Sequence, residues 1–346
     1  QQVITYLKNK RAKDNRNINL LFGNGFSIAY DSKIFSYNAL SQYISESTNP
    51  TIAKLFNKLK TQNFELVMRQ LDGFCDIAHL FSTDKNLVPN IQKTTNDLKT
   101  CLIEAIKTSH PEHVFQMHEK QSNSCMKFLE DFLNNDGYIF STNYDLLLYW
   151  VLMRNKVKNV VDGFGRDIII NQENYSEEPE FTELRWGKHK EDQSIFYLHG
   201  SLLLFDTGTQ IAKVEYNTKN YILDIIKSKI DAKEYPVFVT AGNGEQKLAQ
   251  ISHNKYLNYC YEKLSSIGGS LVTFGFNFGE YDNHIIKAIN KATKYRGKEY
   301  KPLWSVYIGV YSDEDLNHIN KLIESKAFDC KVTPYNAKTV NPWDMQ

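Results

Sequence analysis

The chain has 346 residues, which is enough for one large domain or two ordinary ones with a substantial core. Hydrophobic residues make up 42% of the chain and charged residues 23%, a balance typical of soluble globular proteins. The 41 basic and 40 acidic residues leave a formal charge of +1, so direct nucleic-acid binding and attraction to an anionic membrane are not expected.

Cysteine usage and hydropathy indicate a cytoplasmic protein. The five cysteines are scattered and contain no CxxC pair. This spacing favours reduced thiols over disulfides, and it argues against a zinc ribbon, because structural zinc sites need closely spaced thiolates. The N-terminal residues contain no apolar signal segment, and no stretch is apolar over the length of a bilayer. We therefore expect a cytoplasmic chain without a bound metal.

The first predicted element is a buried parallel strand at residues 17–22 (NINLLF), which ends at a glycine-rich turn and leads into a helix. The period of the apolar residues then changes. They recur at helical spacing between residues 51 and 80, and helical patterns continue over 96–108 and 113–132. We interpret residues 46–125 as an inserted, all-helical subdomain.

Strand patterns then return in short apolar runs, at residues 137–142, 194–198, 202–205, 236–240, 269–274 and 304–310. Helical patterns follow several of these runs. Strands that alternate with helices predict an α/β fold, with a Rossmann-like parallel sheet and helices on both faces, built from residues 1–45 and 126–346. In such sheets, ligands bind at the carboxyl ends of the strands.

Four polar segments follow predicted strands, at the edge where ligands bind. The first is the loop Gly23-Asn24-Gly25-Phe26-Ser27, whose glycines let the backbone approach an anion such as a pyrophosphate. Ser27 either caps the next helix or donates to the phosphate. The second is Thr142-Asn143-Tyr144-Asp145, in which Asp145 either caps a helix or contacts a ligand. Each of these segments alone is a weak signal.

The third segment is Leu198-His199-Gly200-Ser201. A lone histidine is more often structural, but a histidine directly before glycine at this edge is well placed to act as an acid or base. The fourth is Gly275-Phe276-Asn277-Phe278, with Asp282 and His284 beyond it. Gly275 offers a close backbone approach, and Asp282 either caps a helix or binds a ribose hydroxyl.

In this order, the runs G-N-G-F-S, T-N-Y-D, L-H-G-S and G-F-N-F-x-x-x-D resemble those of the sirtuin-like NAD-binding domain. The corresponding sirtuin runs are a G-A-G-I-S loop, a T-Q-N-I-D segment, an L-H-G histidine and a G-T-S-type loop. Each motif is short, but their joint occurrence, each after a strand, is fairly specific. The resemblance covers residues 17–45 and 130–310, and it implies that NAD is bound.

The resemblance also implies roles for the matching positions. Asn143 would contact the nicotinamide ribose and position a water, and His199 would act on a ribose hydroxyl or on that water. The first glycine loop would hold the pyrophosphate, and the last would line the adenosine half. The residues implied to bind NAD are Gly23, Asn24, Gly25, Ser27, Thr142, Asp145, Gly275, Asn277 and Asp282.

Two departures from the sirtuin pattern change the expected reaction. The four zinc-ribbon cysteines are missing, and residues 31–35 (DSKIF) lack the usual P-D-F-R run. Both argue against protein deacylation. They make the chain more similar to zinc-less sirtuin-like effectors of bacterial anti-phage defence, which hydrolyse NAD. The resemblance therefore implies an NAD hydrolase, with NAD as its substrate, that acts by cell suicide.

Two other functions stay open: a module that senses NAD or ADP-ribose without turnover, and a protein deacylase, which is the least favoured. An unregulated NAD hydrolase would kill its host, so we expect gating by homo-oligomerisation or by a partner such as a HerA-type ATPase.

Two further features have a second interpretation. His110, His113 and His118 suggest a metal, but their spacing is not HExxH, and a solvated helix start is favoured. The glycine pair in residues 241–244 is either a second phosphate loop or, as we favour, a flexible loop near the cleft, with Lys247 and His253 as neighbouring candidates.

Overall fold

A computed structural model describes residues 2–14, 16–31, 49–60, 64–109, 114–134, 136–155, 160–169, 180–216, 221–239, 244–295 and 302–344. Its helices are α1 Gln2–Asp14, α2 Asn24–Tyr30, α3 Pro50–Leu59, α4 Phe64–Ile77, α5 Leu87–Ser109, α6 Glu119–Leu133, α7 Leu147–Arg154, α8 Ile222–Asp231, α9 Gly244–His253, α10 Lys255–Leu264, α11 Asn283–Lys294 and α12 Asp313–Glu324. None of these helices combines the length and apolarity needed to cross a bilayer, over the part of the chain that is described.

The strands are β1 Ile18–Phe22, β2 Ile139–Ser141, β3 Phe164–Gly165, β4 Ile168–Ile169, β5 Glu180–Phe181, β6 Leu184–Trp186, β7 Ile195–Tyr197, β8 Gly200–Asp206, β9 Ile211–Lys213, β10 Pro236–Phe238, β11 Gly269–Phe274, β12 Leu303–Val310 and β13 Lys331–Asn336. They form a six-stranded sheet, a five-stranded sheet and a two-stranded ribbon.

The six-stranded sheet is parallel throughout, in the spatial order β13-β12-β11-β1-β2-β7. Numbered along the chain and read from β7, this is the order 3-2-1-4-5-6 of doubly wound dinucleotide-binding sheets. The order reverses between β1 and β11. Because right-handed crossovers run in opposite directions on the two sides of β1, they place helices on both faces. The predicted Rossmann-like α/β fold is confirmed.

The centre of this sheet is the core of the protein. All residues of β1 and β11 are buried, as continuous apolar runs in a parallel sheet require. The ring of Phe22, at the end of β1, stacks on the ring of Phe26 in α2, with centroids 4.2 Å apart. Trp343, near the end of the chain, packs on Phe26 and donates its indole N–H to the Phe26 carbonyl at 2.8 Å. Trp343 thereby ties the C-terminal segment to α2.

Helices α3, α4 and α5 lie within residues 46–125, the stretch interpreted as a helical insertion. Helices α4 and α5 pack against each other. Helix α6 begins inside this stretch, continues past residue 125 and packs against β1 and β2. The division of the chain at 46 and 125 stays a prediction.

Three strands differ from the pattern that the sequence predicts. The apolar runs at 202–205 and 236–240 were grouped with the parallel strands, but β8 and β10 pair antiparallel with each other in the sheet β10-β8-β9-β6-β3. A short apolar run does not specify its partner strand, which explains the error. The sixth parallel strand, β13, was not predicted. It is only half-buried and contains Pro334, which an edge strand tolerates.

The contact of Trp343 with α2 gives a first prediction. Replacing Trp343, which is 1% exposed, with Ala should lower the free energy of unfolding by about 3–5 kcal/mol, because it removes a large buried ring. The matched control is Trp304→Ala, since Trp304 is 47% exposed and should cost far less. Urea unfolding of the wild type and both variants measures the difference. Equal losses in the two variants would contradict the role of Trp343.

Candidate functional site

The loops that follow β1 and β11 touch where the strand order reverses. Gly23 donates its backbone N–H to the Phe274 carbonyl at 3.1 Å, and Gly25 donates to the Gly275 carbonyl at 2.9 Å. Gly275 has a φ of +61°, and a Cβ on Gly25 would lie 2.6 Å from the Gly275 Cα. Only glycines fit this crossing. Because both N–H groups bind protein carbonyls, the loop contributes a close backbone surface rather than two open donors.

Three predicted site residues form a hydrogen-bonded chain beside this crossing. The Ser27 hydroxyl donates to the Asp145 carboxylate. Asn143 Nδ2 donates to Ser27 Oγ at 2.8 Å. All three side chains are buried. Because a carboxylate only accepts, Asp145 makes Ser27 the donor, and the Ser27 oxygen then receives the amide N–H of Asn143. This direction leaves Oδ1, as an acceptor, and the second N–H of Nδ2 for a ligand or a water.

Neighbouring backbone contacts hold this chain in place. The Asn143 backbone N–H donates to Ser141 Oγ at 3.1 Å, and Asp145 Oδ1 accepts from the Leu147 N–H at 2.9 Å. Asp145 therefore binds the first backbone N–H of α7 as well as Ser27, and its contact with a ligand stays a prediction. Thr142 links the ends of two strands: its N–H and its hydroxyl both donate to the Phe22 carbonyl, at 3.1 and 3.3 Å.

His199 follows the neighbouring strand β7 and pairs with a second histidine. Its Nε2 lies 2.7 Å from Nε2 of His284, the second residue of α11. The Leu198 N–H donates to the Ser141 carbonyl, which joins the end of β7 to the end of β2. His199 is 4% exposed and His284 is fully buried. The hydrogen bond requires one ring to donate and the other to accept.

Burial keeps both histidines neutral at pH 7. Desolvation, with His284 and Lys247 as further causes, lowers the pKa of His199 well below its usual value. Desolvation and then Lys247 lower the pKa of His284 to about 3, and the backbone of Tyr281 opposes this shift in part. His284 was noticed in the sequence but given no role. Its only signal was its place two residues after Asp282, at the start of a helix.

The remaining predicted residues lie around this centre. Asp282 forms an ion pair with Lys247 at 3.0 Å, and its side chain does not cap α11. Asn24 and Asn277 are exposed, and they do not join the buried hydrogen-bonded groups. His253 is exposed and hydrogen-bonds the Ala249 carbonyl of its own helix.

Some of the residues in the alternative interpretations, which concern the three histidines and the second glycine loop, lie outside the described part of the chain. His110, His113 and the glycine loop at 241–243 lie outside the described residues, and His118 is exposed at the start of α6. Among the residues that are described, no three His, Cys, Asp or Glu side chains come together in a way that would hold a metal ion.

The fold and the site together define a class. This is a doubly wound α/β protein with buried polar side chains at the carboxyl edge, beside the point where its strand order reverses. Over residues 20–343 the chain matches a family described as a domain of unknown function (DUF4917), and it belongs to that family. The match contains every residue of the candidate site. None of the curated proteins is significantly similar to the chain.

The neutral histidine pair predicts a particular acid sensitivity. In the unfolded chain both rings take up protons as the pH falls below about 6.5, but the folded protein resists this uptake. The stability that the pair contributes is therefore complete above pH 6.5 and is lost as the pH falls towards the lowered pKa values. Each ring should contribute a slope of up to about 1.4 kcal/mol per pH unit.

Urea unfolding at pH 7.5, 6.5 and 5.5 measures this slope. His284→Gln should reduce it, because one resisting ring is gone, and replacing the exposed His118 with Gln is the matched control. Identical slopes for the wild type and His284→Gln would show that the pair does not titrate in this way.

The crossing of the two loops predicts that an alanine at Gly25 destabilises the protein, whereas an alanine at a helical glycine with free space around it should stabilise it. Gly25→Ala should destabilise the protein by about 2 kcal/mol or more, since its Cβ would meet the Gly275 backbone. Gly73 lies in α4 with no atom within 4 Å of an added Cβ, and Gly73→Ala should stabilise by about 0.5–1 kcal/mol. Thermal unfolding distinguishes the two, and a neutral Gly25→Ala would refute the close crossing.

Proposed function

We propose that this chain binds NAD at the carboxyl edge of the parallel sheet and hydrolyses the bond between nicotinamide and ribose. One observation carries the proposal: Asn143 is held by Ser27 with its Oδ1 left over, and a neutral His199 follows the adjacent strand. A fixed amide oxygen and a neutral imidazole are the groups needed to orient and deprotonate a hydroxyl or a water.

The topology supports a dinucleotide as the ligand. Sheets with this strand order bind dinucleotides across the crevice where the order reverses, which here lies between β1 and β11. The glycine crossing at Gly25 and Gly275 removes side chains from that point and brings bare backbone to the surface of the crevice. Asn143 and His199 follow β2 and β7, on one side of the crossing, where they would meet one half of the ligand.

The proposed reaction needs one water and no further reactant. The C–N bond between ribose and nicotinamide breaks, and its electron pair leaves with the ring nitrogen, which becomes neutral. The water oxygen bonds to the anomeric carbon and gives up a proton, so that the products are ADP-ribose, nicotinamide and a proton. Positive charge builds up on the ribose during this step, as in other glycoside cleavages.

The state of His199 suits such a step. A protonated imidazole would repel the developing positive charge, whereas a neutral one can take the proton from the water or from a ribose hydroxyl. Nε2 of His199 is engaged by His284, which leaves Nδ1 as the ring nitrogen for this task. Asn143 Oδ1 would orient the same water or hydroxyl. Ser27 and Asp145 would act through Asn143 and need not touch the substrate.

A second candidate function is a module that senses NAD or ADP-ribose without turnover. The burial of the reacting groups favours it, since Asn143 is only 8% exposed and His199 only 4%. A water can attack only if it reaches them. Under either function we place the chain in the cytoplasm, in anti-phage defence. The hydrolase would need gating by self-assembly or by a partner such as a HerA-type ATPase, because unrestrained NAD loss is lethal.

Nicotinamide release from NAD, followed over time by chromatography, tests the hydrolase. Asn143→Ala and His199→Ala should each lower the rate by about 10²-fold or more. The exposed residues Asn86 and His118 provide the matched controls Asn86→Ala and His118→Ala, which should keep wild-type rates. Calorimetric binding of NAD without any release would instead support the sensor. Release that survives loss of both Asn143 and His199 would overturn the assigned site.

A further inference from the structure

The imidazole of His284 is a buried, chemically versatile group that the proposed reaction does not itself use. Its ring centroid lies 5.0 Å from that of His199, with the ring planes 31° apart. The two Nε2 atoms are 2.7 Å apart, which is a short, direct hydrogen bond. Within the described part of the chain, each ring is the hydrogen-bond partner of the other at Nε2.

The proposed role of His199 decides which ring donates. For Nδ1 of His199 to take up a proton, the proton of the neutral ring must sit on Nε2, which then donates to Nε2 of His284. Neutral His284 accordingly carries its own proton on Nδ1, a buried atom without a hydrogen-bond partner within the described residues.

We propose that His284 is the positioning residue of His199: by accepting a hydrogen bond from Nε2–H, it fixes the tautomer whose unprotonated Nδ1 serves as the base. This inference rests on the proposed hydrolase. It adds to that proposal which nitrogen of His199 takes up the proton and which residue holds the ring in that state. A histidine with an unfixed tautomer would present N–H at Nδ1 part of the time, and in that state it could not take a proton.

The fold holds His284 rigidly enough for this role. It is the second residue of α11, and its backbone carbonyl accepts from the Tyr261 hydroxyl at 3.2 Å. The starts of α9 and α11 abut, so that a Cβ on Gly244 would lie 3.2 Å from the His284 backbone nitrogen. The Lys247–Asp282 ion pair joins the same two helices. The ring is therefore fixed at its backbone and by the packing around it.

The charged groups around the pair also favour neutral rings. Lys247 on α9 and Lys287 on α11 both act against protonation of His284, and Lys247 also acts against protonation of His199. Asp282 is occupied by Lys247 and so gives little compensation for a charge on either ring. A proton added to the pair would be an isolated buried charge, which is costly. The hydrogen bond and the tautomers therefore persist at neutral pH.

Kinetics of three variants test the role of His284. His284→Leu removes the acceptor and should lower kcat for nicotinamide release by about 10-fold or more, with little change in KM. His284→Gln offers an amide oxygen to the Nε2–H and should recover part of the rate. His118→Gln is the matched control, since this histidine is exposed at the start of α6, away from the pair. Equal rates in wild type and His284→Leu would overturn the inference.

The pH profile separates positioning from a merely structural defect. Neutral His284 accepts from Nε2–H of His199 and would accept more strongly from the protonated ring, whereas Leu offers no acceptor there. The acid side of the kcat profile should therefore move to lower pH in His284→Leu, and less so in His284→Gln, which keeps an acceptor. A variant that is only less folded would lose rate equally at every pH. Such a parallel loss would count against positioning.

A spectroscopic measurement tests the pair without turnover. Nitrogen-15 spectra of the histidine-labelled protein, assigned with His199→Gln and His284→Gln, should show two neutral rings at pH 6, with the proton on Nε2 of His199 and on Nδ1 of His284. The opposite tautomers, or a ring that titrates near its ordinary pKa, would overturn the inference. A wild-type chain that releases no nicotinamide but shows these tautomers would contradict the proposed hydrolysis alone.

Discussion

The close approach of the Gly25 and Gly275 backbones is the constraint on which the rest of the site depends. It occurs where the strand order of the parallel sheet reverses, and it brings the loop after β1 against the loop after β11. With that crossing fixed, α2 starts at a set position, and Ser27 on its inner face comes within reach of Asn143 and Asp145 after β2. A side chain at either glycine would push these elements apart.

The hydrogen-bonded chain of Asp145, Ser27 and Asn143 then fixes the orientation of the polar groups in it. Asp145 can only accept, so it settles which way the Ser27 hydroxyl points, and Ser27 in turn settles which end of the Asn143 amide faces inwards. His284 plays the same part for His199 on the neighbouring strand. In both cases a hydrogen bond to a buried residue engages one atom of the partner side chain, so that another atom of that side chain stays available to the ligand. Two such left-over atoms, Oδ1 and Nδ1, are what the proposed chemistry would use.

The sequence predicts the layers of this fold better than its contacts. The buried strand at 18–22 and the glycine loop after it follow from an apolar run and two glycines, which are local signals. The antiparallel pairing of β10 and the edge strand β13 were not predicted, because a short or half-buried run of residues does not indicate its partner strand. Ser27 and Asp145 were each singled out, but their contact spans 118 positions. His284 and His199 are 85 positions apart, and no spacing rule connects them.

The residues of the site carry little net charge. Lys247 is paired with Asp282, the Asp145 carboxylate is hydrogen-bonded by Ser27 and the Leu147 backbone, and the two histidines are uncharged. NAD carries a positive nicotinamide ring at one end and a negative diphosphate in its middle. A strongly charged pocket would attract one part and repel the other. Under the proposed function, this weakly charged edge would therefore select its substrate by shape and hydrogen bonding, and the uncharged His199 would tolerate the growing positive charge on the ribose.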